Sequence, residues 1–247
     1  MPHIKFESVC LDLPIYNART RSLKNRVMQA ATGGRILETG GGRLSVRALD
    51  EISFELCDGD RVGLIGHNGA GKSTLLRMLS GIYVPNSGQI TSEGKVSSLI
   101  DISLGIDLEA TGRDNIFLRG CLLGMTKSNI QATIDEIIEF TELGDFIDMP
   151  LRTYSTGMSM RLAFAVSTAV QPEILLMDEW LSVGDENFKA KAEERLKKLL
   201  SKTNLLVMAT HSYEIITSIC NKAIWLEHGR LKEVGDAKTV ADMYFGR

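Results

Sequence analysis

Residues 66–74 read Gly-His-Asn-Gly-Ala-Gly-Lys-Ser-Thr, the spacing G-x-x-x-x-G-K-S, between an apolar run at 62–65 and a helical pattern beginning at Lys72. Glycines in such a strand-to-helix turn let the backbone aim its N–H groups inward, and the helix N-terminus adds partial positive charge. Together they make a cradle for phosphate oxygens. Gly66, His67, Asn68, Gly69, Ala70, Gly71, Lys72, Ser73 and Thr74 are therefore the expected nucleotide-binding residues. Lys72 would reach the β- and γ-phosphates, and the Ser73 hydroxyl would serve Mg²⁺.

Two further strand ends carry reactive groups. The apolar run 174–177 stops at Asp178 and Glu179, and the run 205–209 stops at Thr210 and His211. Open α/β sheets place ligands at the carboxyl ends of their strands. Asp178 is expected on the Mg²⁺ shell beside Ser73, and Glu179 as the base toward a water attacking the γ-phosphate. His211 is expected to reach the γ-phosphate. This places the carboxylates beside the phosphate loop provided that their strands are neighbours, with adjacent side chains pointing to opposite sides of the strand.

Ser155 raises a different question, because Tyr154-Ser-Thr-Gly-Met158 precedes an apolar helical pattern with no base or orienting acid nearby in sequence. A Ser-Thr-Gly cluster at a helix start suits an anion ligand better than a nucleophile.

The elements that must hold these groups are legible as alternation. Apolar runs and helical patterns succeed one another through the chain, which implies βαβ units and a largely parallel sheet. The stretch 33–60, in which two alternating segments flank a glycine-rich turn, predicts a small antiparallel sheet before it. Residues 111–149 carry Ile116, Ile130, Ile134 and Ile137 at helical spacing, with Thr111 and Ser128 as N-caps, and predict a helical insert. The fold class is α/β, a P-loop NTPase.

Composition narrows the function classes. The 247 residues are 44% hydrophobic and 24% charged, with a formal net charge of −3, so no overall electrostatic reason to bind nucleic acid exists. Cys10, Cys57, Cys121 and Cys220 are scattered without zinc-ligand spacing. No signal-peptide pattern opens the chain, and no run of 18 apolar residues occurs, so a membrane role has to pass through a partner.

In order along the chain, the motifs at 66–74, 154–158 (YSTGM), 174–179 (ILLMDE), 182–185 (SVGD) and 209–212 (ATHS) resemble the phosphate loop, signature, Walker B, D-loop and switch histidine of an ABC-transporter ATPase subunit. More narrowly, TGRDNI and the stretch 154–185 resemble ATPase subunits of bacterial exporters for O-antigen, capsule and teichoic-acid polymers. The resemblance implies an ABC-type ATPase with an antiparallel β region, a RecA-like core at about 50–100 and 170–247, and a helical subdomain at about 101–169. It also implies ATP and Mg²⁺ as ligands and a homodimer in which Ser155 and Gly157 complete the partner's nucleotide site. A separate transmembrane permease would carry a polyprenyl-linked polysaccharide, with this chain at the cytoplasmic face of the inner membrane. An ATPase for another exported cargo, lipid or drug, and a non-transport regulatory P-loop module are the alternatives.

Several positions depart from the family pattern. The signature keeps only the serine and second glycine of L-S-G-G-Q. No glutamine lies between Gln89 and Gln131, and Asp101 stands near the place of the family's Q-loop residue. Ser182 and Asp185 remain in the D-loop, and Tyr16 is the only tyrosine upstream of the phosphate loop, where the family places an aromatic ring that stacks on adenine. A basic helical insert at about 17–45, capped by Thr20 or Ser22 and ended by Gly33, brings Arg19, Arg21, Lys24, Arg26, Arg35, Arg43 and Arg47 against one acid, Glu38, within 13–47. Such a patch near a bilayer would meet anionic headgroups or a glycolipid pyrophosphate. A chain ending at 247 is also expected to lack the extra C-terminal glycan-binding domain of some family members.

Overall fold

A computed structural model describes residues 1–15, 35–39, 43–100, 102, 104–179 and 186–247. Tyr16, Asp101, Ser182, Asp185 and the expected helix of the basic insert lie outside the described residues. The chain divides into two compact units, the first comprising Met1–Val96, Glu173–Glu179 and Asn204–Arg247, the second Ser97–Pro172 and Trp180–Thr203.

The first unit holds two sheets. β1 (His3–Ile15), β2 (Arg35–Thr39), β3 (Arg43–Leu56) and β5 (Ser87–Glu93) form an antiparallel sheet in the order β2-β3-β1-β5. β2 and β3 are the two segments expected around the glycine-rich turn. Alternation sets the faces: Ile4, Phe6, Phe54 and Leu56 are buried, and the Phe6 and Phe54 rings stack at 4.6 Å.

The second sheet runs β10-β9-β4-β8-β7-β6, with β4 (Arg61–Ile65), β7 (Ile174–Asp178), β8 (Leu205–Ala209), β9 (Lys222–Glu227) and β10 (Arg230–Asp236). Its edge strand β6 (Val96–Ser98) begins with the last residue of this unit's first segment. β4, β7, β8 and β9 are mutually parallel, and β10 returns antiparallel. Residues 62–65, 174–177 and 205–209 of the central strands form buried apolar runs, as parallel strands in an α/β sheet do. Helix α1 (Lys72–Leu79) follows β4, and α6 (Tyr213–Ile219) and α7 (Ala237–Phe245) close a cluster around Ile65, Ile216, Ala223 and Val240.

The strand order corrects one expectation. β4 and β7 are not neighbours, because β8, which leads to His211, lies between them.

The second unit is helical, with α2 (Gly112–Leu122), α3 (Lys127–Thr141), α4 (Thr156–Ser167) and α5 (Glu186–Lys202). Thr111 starts α2 with a capping box: its Oγ1 accepts the Asp114 N–H at 3.1 Å, and its own N–H donates to Asp114. Asn115, buried in the first turn, donates through Nδ2 to the Asp107 and Thr111 carbonyls and accepts the Asp107 N–H. The polar residues of TGRDNI thus fix the entry loop. The cap of α3 is Thr126 rather than Ser128; Thr126 is in the extended region and accepts the Asn129 N–H, while Ser128 already lies in the first helical turn. Ile116, Ile130, Ile137 and Leu162 make the core, beside a ring cluster of Phe140, Phe164 and Phe188.

No helix among the described residues is long and apolar enough to cross a membrane.

Candidate nucleotide site

The phosphate loop leaves β4 at Ile65 and enters α1 at Lys72. A Cβ on Gly66, at φ 149°, would overlap the carbonyl oxygen of Leu226, so the first glycine is required by the close approach of β9. Gly71, at φ 110°, occupies the N-cap position without a side-chain cap, which leaves the first N–H groups of α1 to a ligand.

Lys72 is 7% exposed, and its ammonium donates to the carbonyls of Gly66 at 2.7 Å and His67 at 3.3 Å. Burial pulls the Lys72 ammonium below the ordinary lysine value, against the attraction of Asp178 and Glu179. Both acids therefore act electrostatically at the loop although their strand is one removed from β4.

Register explains how they arrive there. Ala209 of β8 lies opposite both Leu64 of β4 and Asp178 of β7. Beyond this rung the Thr210 N–H donates to the Leu64 carbonyl at 3.3 Å, and the Glu179 N–H donates to the Ala209 carbonyl at 2.8 Å. Three strand ends are thus in step, carrying the phosphate loop, His211 and the carboxylate pair to one edge of the sheet.

Asp178 ends β7 half-buried. Glu179 is exposed and has φ 68°, the left-handed region that costs a non-glycine residue about 1 kcal/mol or more. Different directions for the two side chains were expected from strand alternation; here Glu179 has left the strand, and its backbone conformation sets its aim. His211 is exposed between buried Thr210 and half-buried Ser212, whose Oγ caps α6 by accepting the Ile215 N–H. Ser73 is half-buried in the first turn of α1. A hydroxyl and a carboxylate are oxygen ligands of the kind Mg²⁺ takes.

The loop also has a brace that the sequence reading missed. His228 and Gly229, both at positive φ, form the two-residue turn between β9 and β10. The Gly229 N–H donates to the Ala70 carbonyl at 3.0 Å, and its own carbonyl accepts the Asp50 N–H at 2.8 Å. The His228 ring packs on His67 at 4.5 Å between centroids, and His67 Nδ1 lies 2.8 Å from its neighbour's carbonyl, Asn68 O. Asp50, 7% exposed, accepts from Arg230 at 2.7 and 2.8 Å and from Arg47 at 3.2 Å. Burial would raise the Asp50 carboxyl, but the two guanidinium groups hold it below the usual aspartate value. Arg47 also donates to Asp12 at 2.8 and 3.1 Å. It is committed to these acids and is removed from the basic patch expected near a membrane. The His-Gly turn was the available signal for the hairpin; its contact with the loop is not local in sequence.

In the helical unit, Ser155 is the N-cap of α4 and accepts the Met158 N–H at 3.2 Å. Ser155, Thr156 and Gly157 are exposed, and a Cβ on Gly157 would meet only Ser155 Oγ, at 3.9 Å. Nothing among the described residues requires glycine there.

A phosphate loop, two further strand ends in step with it and an exposed Ser-Thr-Gly helix start together define a P-loop nucleotide-binding ATPase. The family model described as ABC transporter matches residues 49–182, and the chain belongs to that family, as its ATP-binding cassette. It is 48% identical over 233 residues to the O-antigen export system ATP-binding protein RfbE of Yersinia enterocolitica, covering 94% of this chain and 98% of the relative. It is 37% identical to RfbB of Klebsiella pneumoniae, an O-antigen export system ATP-binding protein, over 98% of this chain and 97% of that one. The teichoic acids export ATP-binding protein TagH of Bacillus anthracis is 38% identical over 98% of this chain, which spans 42% of TagH. Among solved structures, an ATP-binding subunit of an ABC transporter aligns with TM-score 0.70 at 18% identity, over 98% of this chain and 93% of that one. A dimeric ATP-binding cassette bound to ADP and Pi aligns with TM-score 0.65 at 18% identity, over 95% and 98%. These likenesses fix the fold as that of an ABC ATPase.

Proposed function

We propose that this chain hydrolyses ATP as a homodimer to drive export of a polyprenyl-linked polysaccharide through a separate transmembrane permease, from the cytoplasmic face of the inner membrane. The observation that carries the cargo is the 48% identity to an O-antigen export ATP-binding protein along 94% of the chain.

Each residue then has a role. Backbone N–H groups of 66–74 and the Lys72 ammonium hold the β- and γ-phosphates. Ser73 and Asp178 would hold Mg²⁺, which when bound neutralises charge on the phosphate oxygens. Glu179 takes a proton from the attacking water, and His211 donates to the γ-phosphate. Ser155 and Gly157, with free N–H groups at the start of α4, face the γ-phosphate of the other chain. Ser155 is a phosphate ligand in this reading because its Oγ already accepts a backbone N–H and no base stands near it in sequence. Closure of two such composite sites ties hydrolysis to dimerisation, and hydrolysis releases it.

The test is purification of the tagged chain from its native membranes together with any multispanning subunit it retains, followed by lipid extraction and ATP turnover. A bound glycolipid that raises turnover, with Glu179→Gln binding ATP while losing turnover, is expected. A complex free of glycolipid that responds to another lipid or a drug would move the cargo. Full turnover in Glu179→Gln would remove Glu179 from its role.

A further inference from the structure

We infer that His3, Glu55 and Cys57 form a binding site for a divalent first-row transition ion, zinc above all, on the outward face of the antiparallel sheet. The ligand atoms of these three side chains lie within 4.8 Å of one another, and His3 Nε2 stands 2.7 Å from Glu55 Oε1.

Sheet register builds the cluster. Ile4 lies opposite Leu56, and both are buried, so His3, one residue before Ile4, and Glu55, one residue before Leu56, point the other way. Cys57 follows the last residue of β3, and its Sγ lies with their ligand atoms. Across the other side of β1, His3 lies opposite Glu93 of β5, a fourth ligand on this face and its second carboxylate. The strands are tied on both sides of His3, and the Cys57 N–H donates to Asp60 Oδ2 at 2.8 Å, fixing the backbone where β3 ends. The three ligands therefore come from paired strands and a hydrogen-bonded turn rather than from a free loop.

The donor set selects the ion. An imidazole nitrogen, a thiolate and a carboxylate are the ligands of zinc and its neighbours, whereas Mg²⁺ takes oxygen and keeps its waters. Tetrahedral zinc at its usual bond lengths needs ligand atoms roughly 3.4–3.8 Å apart. The His3–Glu55 spacing is 2.7 Å and the remaining spacings stay within 4.8 Å, a range that includes that value. Coordination takes Cys57 as thiolate and His3 as the Nδ1–H tautomer, so the Cys57 thiol proton and the Nε2 proton that His3 donates to Glu55 both leave these atoms. The thiol proton goes to solvent, and the imidazole proton moves to Nδ1 through solvent exchange. Glu93 or water completes the shell. Lys5, two residues from His3 on this face, is held by Glu7 at 2.7 Å and is also attracted by Glu55.

The site is separate from the nucleotide. It sits by the turn into β4, whose far end carries the phosphate loop, and five strand residues span about 17 Å. The inference therefore does not depend on the proposed cargo or on Mg²⁺-ATP.

Cobalt(II) is the probe, because sulfur-to-cobalt charge transfer absorbs in the near ultraviolet only when a thiolate is bound. Titration of the full, untagged, magnesium-free chain is expected to give that band together with tetrahedral ligand-field bands, saturating at one ion per chain and displaced by zinc. Cys57→Ser should abolish the charge-transfer band, and His3→Ala and Glu55→Gln should each weaken binding about 10-fold or more, with unfolding midpoints unchanged. Absence of the band in the folded wild-type chain would overturn the inference. So would its survival in Cys57→Ser, which would assign it to another cysteine, or cobalt affinity in His3→Ala equal to wild type.

Discussion

Replacing Lys72 by methionine separates two roles that a lysine in a tight loop can have. In the folded chain its ammonium is buried and bonded to the Gly66 and His67 carbonyls. Losing two charge-assisted hydrogen bonds costs about 1.5–3 kcal/mol each, but methionine also removes the desolvation of a buried cation, which costs several kcal/mol. The two largely cancel, and a stem of similar volume fills the space, so the stability of Lys72→Met should stay within about 2 kcal/mol of wild type. Binding has no such compensation. A nucleotide loses two charge-assisted contacts to its phosphates, about 3–4 kcal/mol, which is roughly 100–1,000-fold in affinity. Urea unfolding without nucleotide measures the first quantity, and titration with a fluorescent ATP analogue the second. Wild-type affinity in Lys72→Met would refute the placement of phosphate against Lys72. Destabilisation by more than about 4 kcal/mol would show that the lysine is mainly a structural clasp of the loop.

Three further outcomes follow from the packing. Gly229→Ala puts a Cβ 2.6 Å from the Ala48 carbonyl oxygen at φ 76°, so it should cost about 2–5 kcal/mol in urea unfolding and raise the KM for ATP through Ala70; wild-type values for both would dismiss the brace. Phe164→Ala, at a 1% exposed ring packed on Phe140 and Phe188, should lower stability by about 3–5 kcal/mol, and a loss below 1 kcal/mol would contradict the core assigned to the helical unit. Burial pushes the Cys220 thiol up from 9.0 to about 12, so the folded chain keeps it neutral where the unfolded chain ionises. Its contribution to stability is full below pH 9.0 and is lost as pH rises toward about 12. In native alkylation read by mass spectrometry, exposed Cys57 and Cys121 should react fast and buried Cys10 should not, while half-buried Cys220, its thiol held neutral, should react far more slowly than Cys57; labelling of Cys220 as fast as Cys57 would contradict its raised thiol.

What the sequence discloses is what is local. The phosphate loop spans nine residues, and its glycines, lysine and following helix are all written in one stretch. Thr111 is readable as a cap because the residues that answer it stand within three positions. Thr126 and Ser128 compete on equal local terms; the choice falls to where α2 ends, at the left-handed Gly124. Strand order is not local. Only pairing of Leu64 with Ala209, and of Ala209 with Asp178, sets β8 between the loop and the carboxylates. Nor could the stretch 13–47 reveal that Arg47 is taken by Asp12 and Asp50, which lie just outside it. The brace from Asp50 through Gly229 to Ala70 and the His3–Glu55–Cys57 cluster join residues far apart in sequence, so no window of residues contains them.

The central claim is that each ATP site takes its phosphate loop from one chain and Ser155 from another. Mixing two inactive variants tests it most directly, because a dimer of Lys72→Ala with Ser155→Arg holds one site in which both residues are wild type. ATP turnover measured on the mixture should recover well above either variant alone, with Ser155→Arg folded because its site is exposed. Turnover that stays at the level of the separate variants, in dimers shown to have formed, would contradict the composite site, as would full activity of Ser155→Arg alone.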